Sequence, residues 1–456
     1  MPTLTQPAGV IFWFRNDLRL HDQPALQQAI ALANQLQTWL LPIYIHDEAL
    51  HALTPWGFPR TSPARDAWTR MAVNDVARQL SERGSQLYQW QGHPVEIIKA
   101  LCQALPKAWL VCEEIAAPFE QVQVQQLKAA GVNVQTVWQS TLMRMSDLPF
   151  AANQVPDQFT TFRQQVERPT LKVEMPLSAP AQLPALPVLS ALPNQLQHLP
   201  GWLGAALAPI SADNTPDPRS AFPWGPGGFE GGETAALAHL QRYSNSTLPR
   251  TYKLTRNGLL GVNYSTKWSP WLATGALSAR QAWAAVKQHE QTHGANDSTY
   301  WIGFELLWRD HFRWLHHKYG QRLYRRQGLS VETPQYKHHA TEAFEAWCTG
   351  QTGHAFIDAG MRELSETGFL SNRLRQIVAS YWIYDMNGDW RAGAAWFESQ
   401  LIDYDVYSNQ GNWLYIAGRG TDPRGGRPFN VKKQTQDHDP DGIYRAKWLA
   451  TSSQAE

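Results

Sequence analysis

Short apolar runs alternate with amphipathic stretches through the first third of the chain. Gly9 to Phe14, Trp39 to Ile45, Gln86 to Trp90, Ala108 to Cys112 and Val132 to Trp138 are too short for ordinary helices and read as buried strands. Helical spacing fills the gaps between them. Such alternation over residues 1 to about 145 predicts a doubly wound parallel sheet with right-handed crossovers and a binding crevice beyond the strand C-termini. No G-x-G-x-x-G follows the first strand, so the usual dinucleotide fingerprint is missing and periodicity leaves the ligand class open.

The pattern then breaks. Pro176 to Glu230 carries 11 prolines in 55 residues, too many for regular helices or central strands, and reads as a linker lying over the surface. Beyond Gly231 the spacing is helical: Ser278 with Gln281 forms a capping-box signature, and Tyr300 to His317, Thr341 to Cys348 and Leu370 to Tyr384 are apolar-periodic. The expected architecture is an α/β domain over 1–145, an interdomain linker over 146–230 and an all-α domain over 231–450.

Composition narrows the function classes. With 40 basic against 39 acidic residues among 456, the net charge is +1, so any nucleic-acid surface must be local. Three cysteines without a C-x-x-C argue against a disulfide framework or a cysteine zinc site and suit a reducing, cytoplasmic compartment. There is no signal-like N-terminus and no run of the ~20 apolar residues a membrane span needs. The 21 tryptophans supply large rigid apolar surfaces, most of them expected in the core and the others available as platforms for a flat cofactor or for bases.

Several segments could carry chemistry. Residues 301 to 327 interleave Arg309, Arg313, Lys318, Arg322, Arg325 and Arg326 with Trp301, Phe304, Trp308, Phe312, Trp314 and Tyr324. That mixture suits single-stranded or flipped bases, and equally a solvated helix face over an aromatic core. Arg419, Arg424, Arg427, Lys432 and Lys433 form a second basic stretch, either phosphate-contacting or a plain surface loop. Hydroxyls and an ammonium from Asn263 to Pro270 suit a pyrophosphate or a helix cap. Asp403, Asp405 and Asn409 bring two carboxylates and an amide together; the pair suits a metal site or an acid/base couple, though no histidine sits at ligand spacing, and equally suits hydrogen bonds from a cofactor ring or from Arg375.

These residues also carry a resemblance. The stretches Val10 to Asp22, Gly231 to Ala235, Tyr252 to Gly258, Lys267 to Gly275, Glu305 to Asp310, Gly368 to Gln376 and Asp389 to Arg391 resemble the photolyase/cryptochrome family, in order, from about residue 9 to residue 449, and the DASH cryptochromes in particular. The resemblance implies an antenna-binding α/β domain and a helical domain that holds U-shaped FAD beside a pocket for a flipped pyrimidine dimer. Blue light would excite reduced flavin, which lends the dimer an electron and recovers it after splitting.

Matching positions then imply a flavin cradle: Tyr252; Ser265, Thr266, Lys267, Trp268 and Ser269 around the phosphates; Arg309; Asn372 and Arg375; Asp403 and Asp405 under the ring; and Asn409 at N5. A neutral amide at N5 cannot protonate the ring as an aspartate would, which favours an anionic reduced flavin. The substrate pocket is implied at Glu305, Trp308, Asn372, Gln376 and Tyr415, with Glu305 protonated and donating to a pyrimidine carbonyl. As a bland helix, Glu305 would instead pair with Arg309 at i, i+4. Tyr415 stands where many duplex-repairing members have a second stacking tryptophan, so single-stranded DNA containing pyrimidine dimers is the expected partner. Phosphate contacts are expected from Arg256, Arg309, Arg424, Lys432 and Lys433. The electron relay maps to Trp413 and Trp390, with Tyr336 nearest the outer position. A methenyltetrahydrofolate antenna would use Glu113 or Glu114, and the protein is expected to act as a monomer. A signalling photoreceptor is the competing reading. Repair of (6-4) photoproducts would need a pocket histidine, and Ser371 to Gln376 has none.

Overall fold

The computed structural model describes residues 9–168, 171–187, 197–205, 215–336 and 342–450. Five parallel strands stand where the apolar runs predict them: β1 (Val10–Phe14), β2 (Leu40–Asp47), β3 (Tyr88–Gly92), β4 (Trp109–Glu113) and β5 (Asn133–Val137), in the order β5-β4-β1-β2-β3. All five residues of β1 are buried because helices cover both faces. Phe12 and Phe14 pack with α1 (Pro24–Gln35) and α2 (Pro63–Ser81) on one side. Ile11 and Trp13 pack with α3 (Pro94–Ala104) and α4 (Pro118–Ala129) on the other.

The proline-rich segment does more than lie over the surface. Trp202–Gly204 forms β6, antiparallel to β3 at the sheet edge. Gly201, at φ +76°, brings its backbone so close to Gln91 that a Cβ would meet the Gln91 oxygen at 1.7 Å. Prolines exclude central strands but tolerate a short edge strand, which is why the composition hid it. Helix α5 (Phe159–Val166) also falls within 146–230.

The rest is helical. Ser278 and Gln281 form the expected capping box at the start of the helix Ala279–His293. The predicted run Leu370 to Tyr384 is the helix Asn372–Ser380 followed by a π-turn, Tyr381–Asp385. The longest helix, Asp297–Tyr319, is the hub. It buries Leu306, Leu307 and Trp314, and its polar groups grip the chain that leaves the sheet: the Leu142 amide donates to Asp310 and Lys318 donates to the Val155 carbonyl. The two halves are locked by buried polar bonds. Asp22 accepts from Ser278 and Arg280, Arg19 donates to the Gly275 carbonyl, and Glu233 accepts from the amides of Leu20 and His21. Among the described residues no helix is long and apolar enough to cross a membrane.

Candidate functional site

A cavity of about 440 Å³ lies between the long helix, the loop 264–269, the helix Asn372–Ser380 and the segment 403–415. Tyr252, Ser265, Thr266, Lys267, Trp268 and Ser269 form one wall, so the hydroxyl-rich run faces a cavity and does not merely cap a helix. Lys267 decides what that wall can hold. It is only 2% exposed, sits at φ +57°, and its Nζ has no hydrogen-bond partner, lying 3.3 Å above the Tyr264 ring. Burial drives its pKa well below the usual lysine value, with Arg375 adding to the effect and Glu363 and Asp403 opposing it.

The opposite wall is built from two aspartates held by two arginines. Arg375 Nη2 donates to Asp403 Oδ2 at 2.8 Å, while Asp403 Oδ1 is buried without a partner. Arg313 pairs with Asp405, which also accepts from the Ser408 amide at 2.8 Å and so caps the helix Val406–Ala417. Burial would raise the Asp405 pKa, but Arg313 and Arg309 outweigh it and hold the carboxyl at about 2. Arg309 itself donates to the carbonyls of Ser140 and Leu272 and lies inside the cavity, away from the outer surface. Asn372 stands at the first turn of its helix and lines this cavity together with a smaller one of about 70 Å³. Asn409 and Trp413 belong to that smaller cavity, where Asn409 Nδ2 donates to the Ala394 carbonyl at 3.0 Å.

The remaining wall is aromatic and carries one carboxyl group. Glu305 accepts from Arg256 Nη1 at 2.7 Å and from Trp301 Nε1 at 3.2 Å, so its partner is Arg256 and not Arg309. Burial raises its pKa, with Arg256 and Trp301 opposing. Trp308 and Tyr415 meet edge to face at 6.2 Å, and Phe159 of α5 stacks flat on Trp308 at 3.7 Å. Gln376 lines the same cavity and accepts from Arg373. Of the basic residues expected at phosphates, Arg256 stands at this wall and Arg424, Lys432 and Lys433 are exposed, Arg424 paired with Asp422 and Lys433 with Asp437. Trp390 and Tyr336 share an aromatic core with Trp413: Trp390 Nε1 donates to the Arg326 carbonyl, and the Arg326 guanidinium lies 5.3 Å above the Tyr336 ring.

Two functional residues escaped sequence reasoning. Arg313 counted only as one of a basic run, although an arginine four residues after Arg309 shares its helix face and implies a buried counter-charge. Phe159 lies in the segment taken for linker, where nothing in the sequence marks it.

Comparison with known proteins fits this geometry. Residues 301–456 match the FAD binding domain of DNA photolyase and residues 10–185 match DNA photolyase. Cryptochrome DASH of Gloeobacter violaceus is 43% identical over 445 residues, covering 96% of this chain and 85% of that one. That of Xenopus laevis is 41% identical over 458 residues, covering 96% and 82%. The chain belongs to the photolyase/cryptochrome family, on its DASH-type branch. Among solved structures, a cryptochrome from Synechocystis sp. superposes with a TM-score of 0.84 at 40% identity, covering 97% of this chain and 89% of the other. A bacterial class III photolyase from Agrobacterium tumefaciens gives 0.76 at 26%, covering 98% and 88%.

FAD is therefore the cofactor expected in the large cavity, and the residues fit it. The unpartnered Lys267 ammonium suits a pyrophosphate, and the unpartnered Asp403 oxygen and Tyr264 hydroxyl suit polar edges of the flavin and its chain. A consequence concerns proton uptake. Burial holds the Lys267 pKa below the usual lysine value and a pyrophosphate facing it should raise it, so FAD affinity should fall as pH rises, by up to about tenfold per unit between its free and bound pKa values. Lys267→Met should flatten that dependence and weaken FAD by about tenfold, roughly the worth of a hydrogen bond to a charged group. Flavin fluorescence titrations at several pH values measure both.

Proposed function

We propose that this DASH-type cryptochrome is a blue-light-dependent enzyme that splits cyclobutane pyrimidine dimers, with single-stranded DNA as its preferred substrate. The observation that carries the reading is that one cavity joins the flavin cradle to the Glu305, Trp308, Gln376 and Tyr415 wall. Reduced FAD, photoexcited, would supply the electron that opens the dimer and take it back. The protein's part is to place the dimer within reach of that electron and to exclude water.

Trp308, fixed from behind by Phe159, offers a rigid face on which a flipped dimer stacks. Glu305 stands where a pyrimidine carbonyl would gain negative charge; burial raises its pKa against the opposing Arg256 ion pair, and in its acid form it would donate to that carbonyl. Asn409 has no proton to give, which keeps electron donation free of proton transfer. Trp413, Trp390 and Tyr336 form the route by which the cofactor is reduced from outside. For the antenna, Glu114 is the better candidate. It lies 3.6 Å from His317 Nε2 and remains half-buried, whereas Glu113 is fully enclosed, its pKa pushed up by burial to about 8. A methenyltetrahydrofolate at the interdomain face would meet Glu114 first.

The reading is tested by light-dependent repair of dimer-containing oligonucleotides, single-stranded and duplex side by side. Repair of the single strand is expected. Flavin photoreduction without repair of either substrate would overturn it in favour of a signalling photoreceptor.

A further inference from the structure

A second cavity, of about 310 Å³, lies behind the Trp308 and Tyr415 wall. It falls within the range of roughly 300–1,000 Å³ of small-ligand sites. Trp308, Phe312 and Tyr415 line both cavities, so only a layer of aromatic rings separates them. Phe159, stacked flat on Trp308, belongs to the lining of this second cavity. Thr160 of α5 and Arg424 are exposed residues of its lining, which places them at its solvent edge.

The lining has one polar feature that asks for a ligand. His311 is 1% exposed and neutral, since burial pushes its pKa down to about 4. Its Nε2 lies 2.8 Å from the Pro156 carbonyl and must carry the proton, which leaves Nδ1 as a buried acceptor without a partner. At the rim, Lys318 holds Asp157, while Arg424 and Arg427 hold Asp422. Three cations against two carboxylates leave a cationic edge suited to a phosphodiester.

We propose that this cavity is a second nucleobase site, which receives an unpaired base next to the dimer on the same strand. A base has the flat apolar faces for Phe159 and Phe312, and an amino or ring N–H for His311 Nδ1. A single strand can turn such a base outward at no cost in pairing, whereas a duplex must unpair it first. The site would thereby add to the preference for single strands. This inference rests on the dimer reading of the first cavity.

The test uses the FAD-loaded, full-length protein and single-stranded oligonucleotides carrying a dimer. The dimer is flanked by ordinary bases, or by an abasic residue on its 5′ side or on its 3′ side, and affinity is read by fluorescence anisotropy. One of the two abasic positions should weaken binding about tenfold, the scale of one base–aromatic stack. Thr160→Trp, at an exposed rim position, places an indole across the mouth and should remove that difference while leaving the abasic substrate bound as before. With the unaltered protein, 2-aminopurine at the sensitive position should lose fluorescence on binding. Dimer preference with indifference to both flanks, or unchanged 2-aminopurine fluorescence, overturns the second site alone. Absence of any preference for the dimer over undamaged strand overturns the reading of the first cavity and this inference with it.

Discussion

Arg313→Met should destabilise the protein by about 3–5 kcal/mol at neutral pH, the usual result of leaving one partner of a buried ion pair unpaired. The Arg313 side chain is 2% exposed, and its two terminal nitrogens reach both oxygens of Asp405. Methionine replaces the apolar stem but abandons the carboxylate, which burial disfavours. One effect opposes the loss: burial and the neighbouring Arg313 together depress the Arg309 pKa to about 10, and removing Arg313 relieves that repulsion. Arg309 spends its donors on the Ser140 and Leu272 carbonyls, so it replaces the lost partner only in part.

The sign of the pH dependence follows from Asp405. Its folded pKa, about 2, lies below the ordinary value of 3.8, so the pair stabilises fully above about 4 and loses its effect as pH falls through 2. In the variant the folded pKa moves above 3.8, and acidification then helps the folded state. The gap between variant and wild type should therefore narrow from pH 7.5 to pH 4.5. Arg313→Met with Asp405→Asn should recover part of the loss, as a coupled pair requires. Thermal unfolding at the two pH values measures all three. A variant as stable as wild type at pH 7.5 would show that the pair is not the lock between the long helix and the cofactor wall.

What the sequence made legible follows from how locally each feature is encoded. Strands β1, β2 and β4 were readable because near-complete burial turns each into an apolar run, β3 and β5 because apolar residues alternate with polar ones along partly exposed strands, and Ser278 with Gln281 because a capping box spans only four residues. The edge strand Trp202–Gly204 was not, since three residues paired to β3 by backbone atoms leave almost no side-chain signature. The same distinction divides the site. Lys267, Asp403 and Asp405 stand in recognisable local runs and come together around one cavity. Arg313 and Phe159 act through partners 92 and 149 residues away, and their meaning exists only once the chain is folded. Basic residues misled for a related reason. Arg309 and Arg313 resemble a phosphate-binding face in one dimension, yet the long helix turns them inward, where carbonyls and a carboxylate hold them.

Substrate choice should turn on two rings. Trp308→Ala removes the stacking face for a dimer, and base–aromatic stacking is worth about 1–3 kcal/mol per base, so two stacked pyrimidines imply a loss of at least about 30-fold in affinity for single strand and duplex alike. The vacated face also exposes Phe159, which lies 3.7 Å behind and is too deep to stand in for the indole. Trp308→Phe should keep part of the binding. For the unaltered protein, extracting a dimer from a duplex costs a few kcal/mol in unpairing and unstacking. Tyr415 presents a smaller surface than an indole and is already engaged on its face by the Arg427 guanidinium at 4.9 Å. Duplex affinity should accordingly fall about tenfold or more below that for single strand, and the deficit should shrink when the dimer sits in an unpaired loop. Tyr415→Trp enlarges the second surface, keeps a ring for Arg427 to cover, and should recover part of the duplex affinity by strengthening binding of the flipped dimer from either substrate. Binding and repair measured on matched single-strand, loop and duplex substrates separate these outcomes. Equal affinity for duplex and single strand in the unaltered protein would show that ring size at position 415 does not set the preference, and would shift the cause to the exposed cations around Arg424, Lys432 and Lys433.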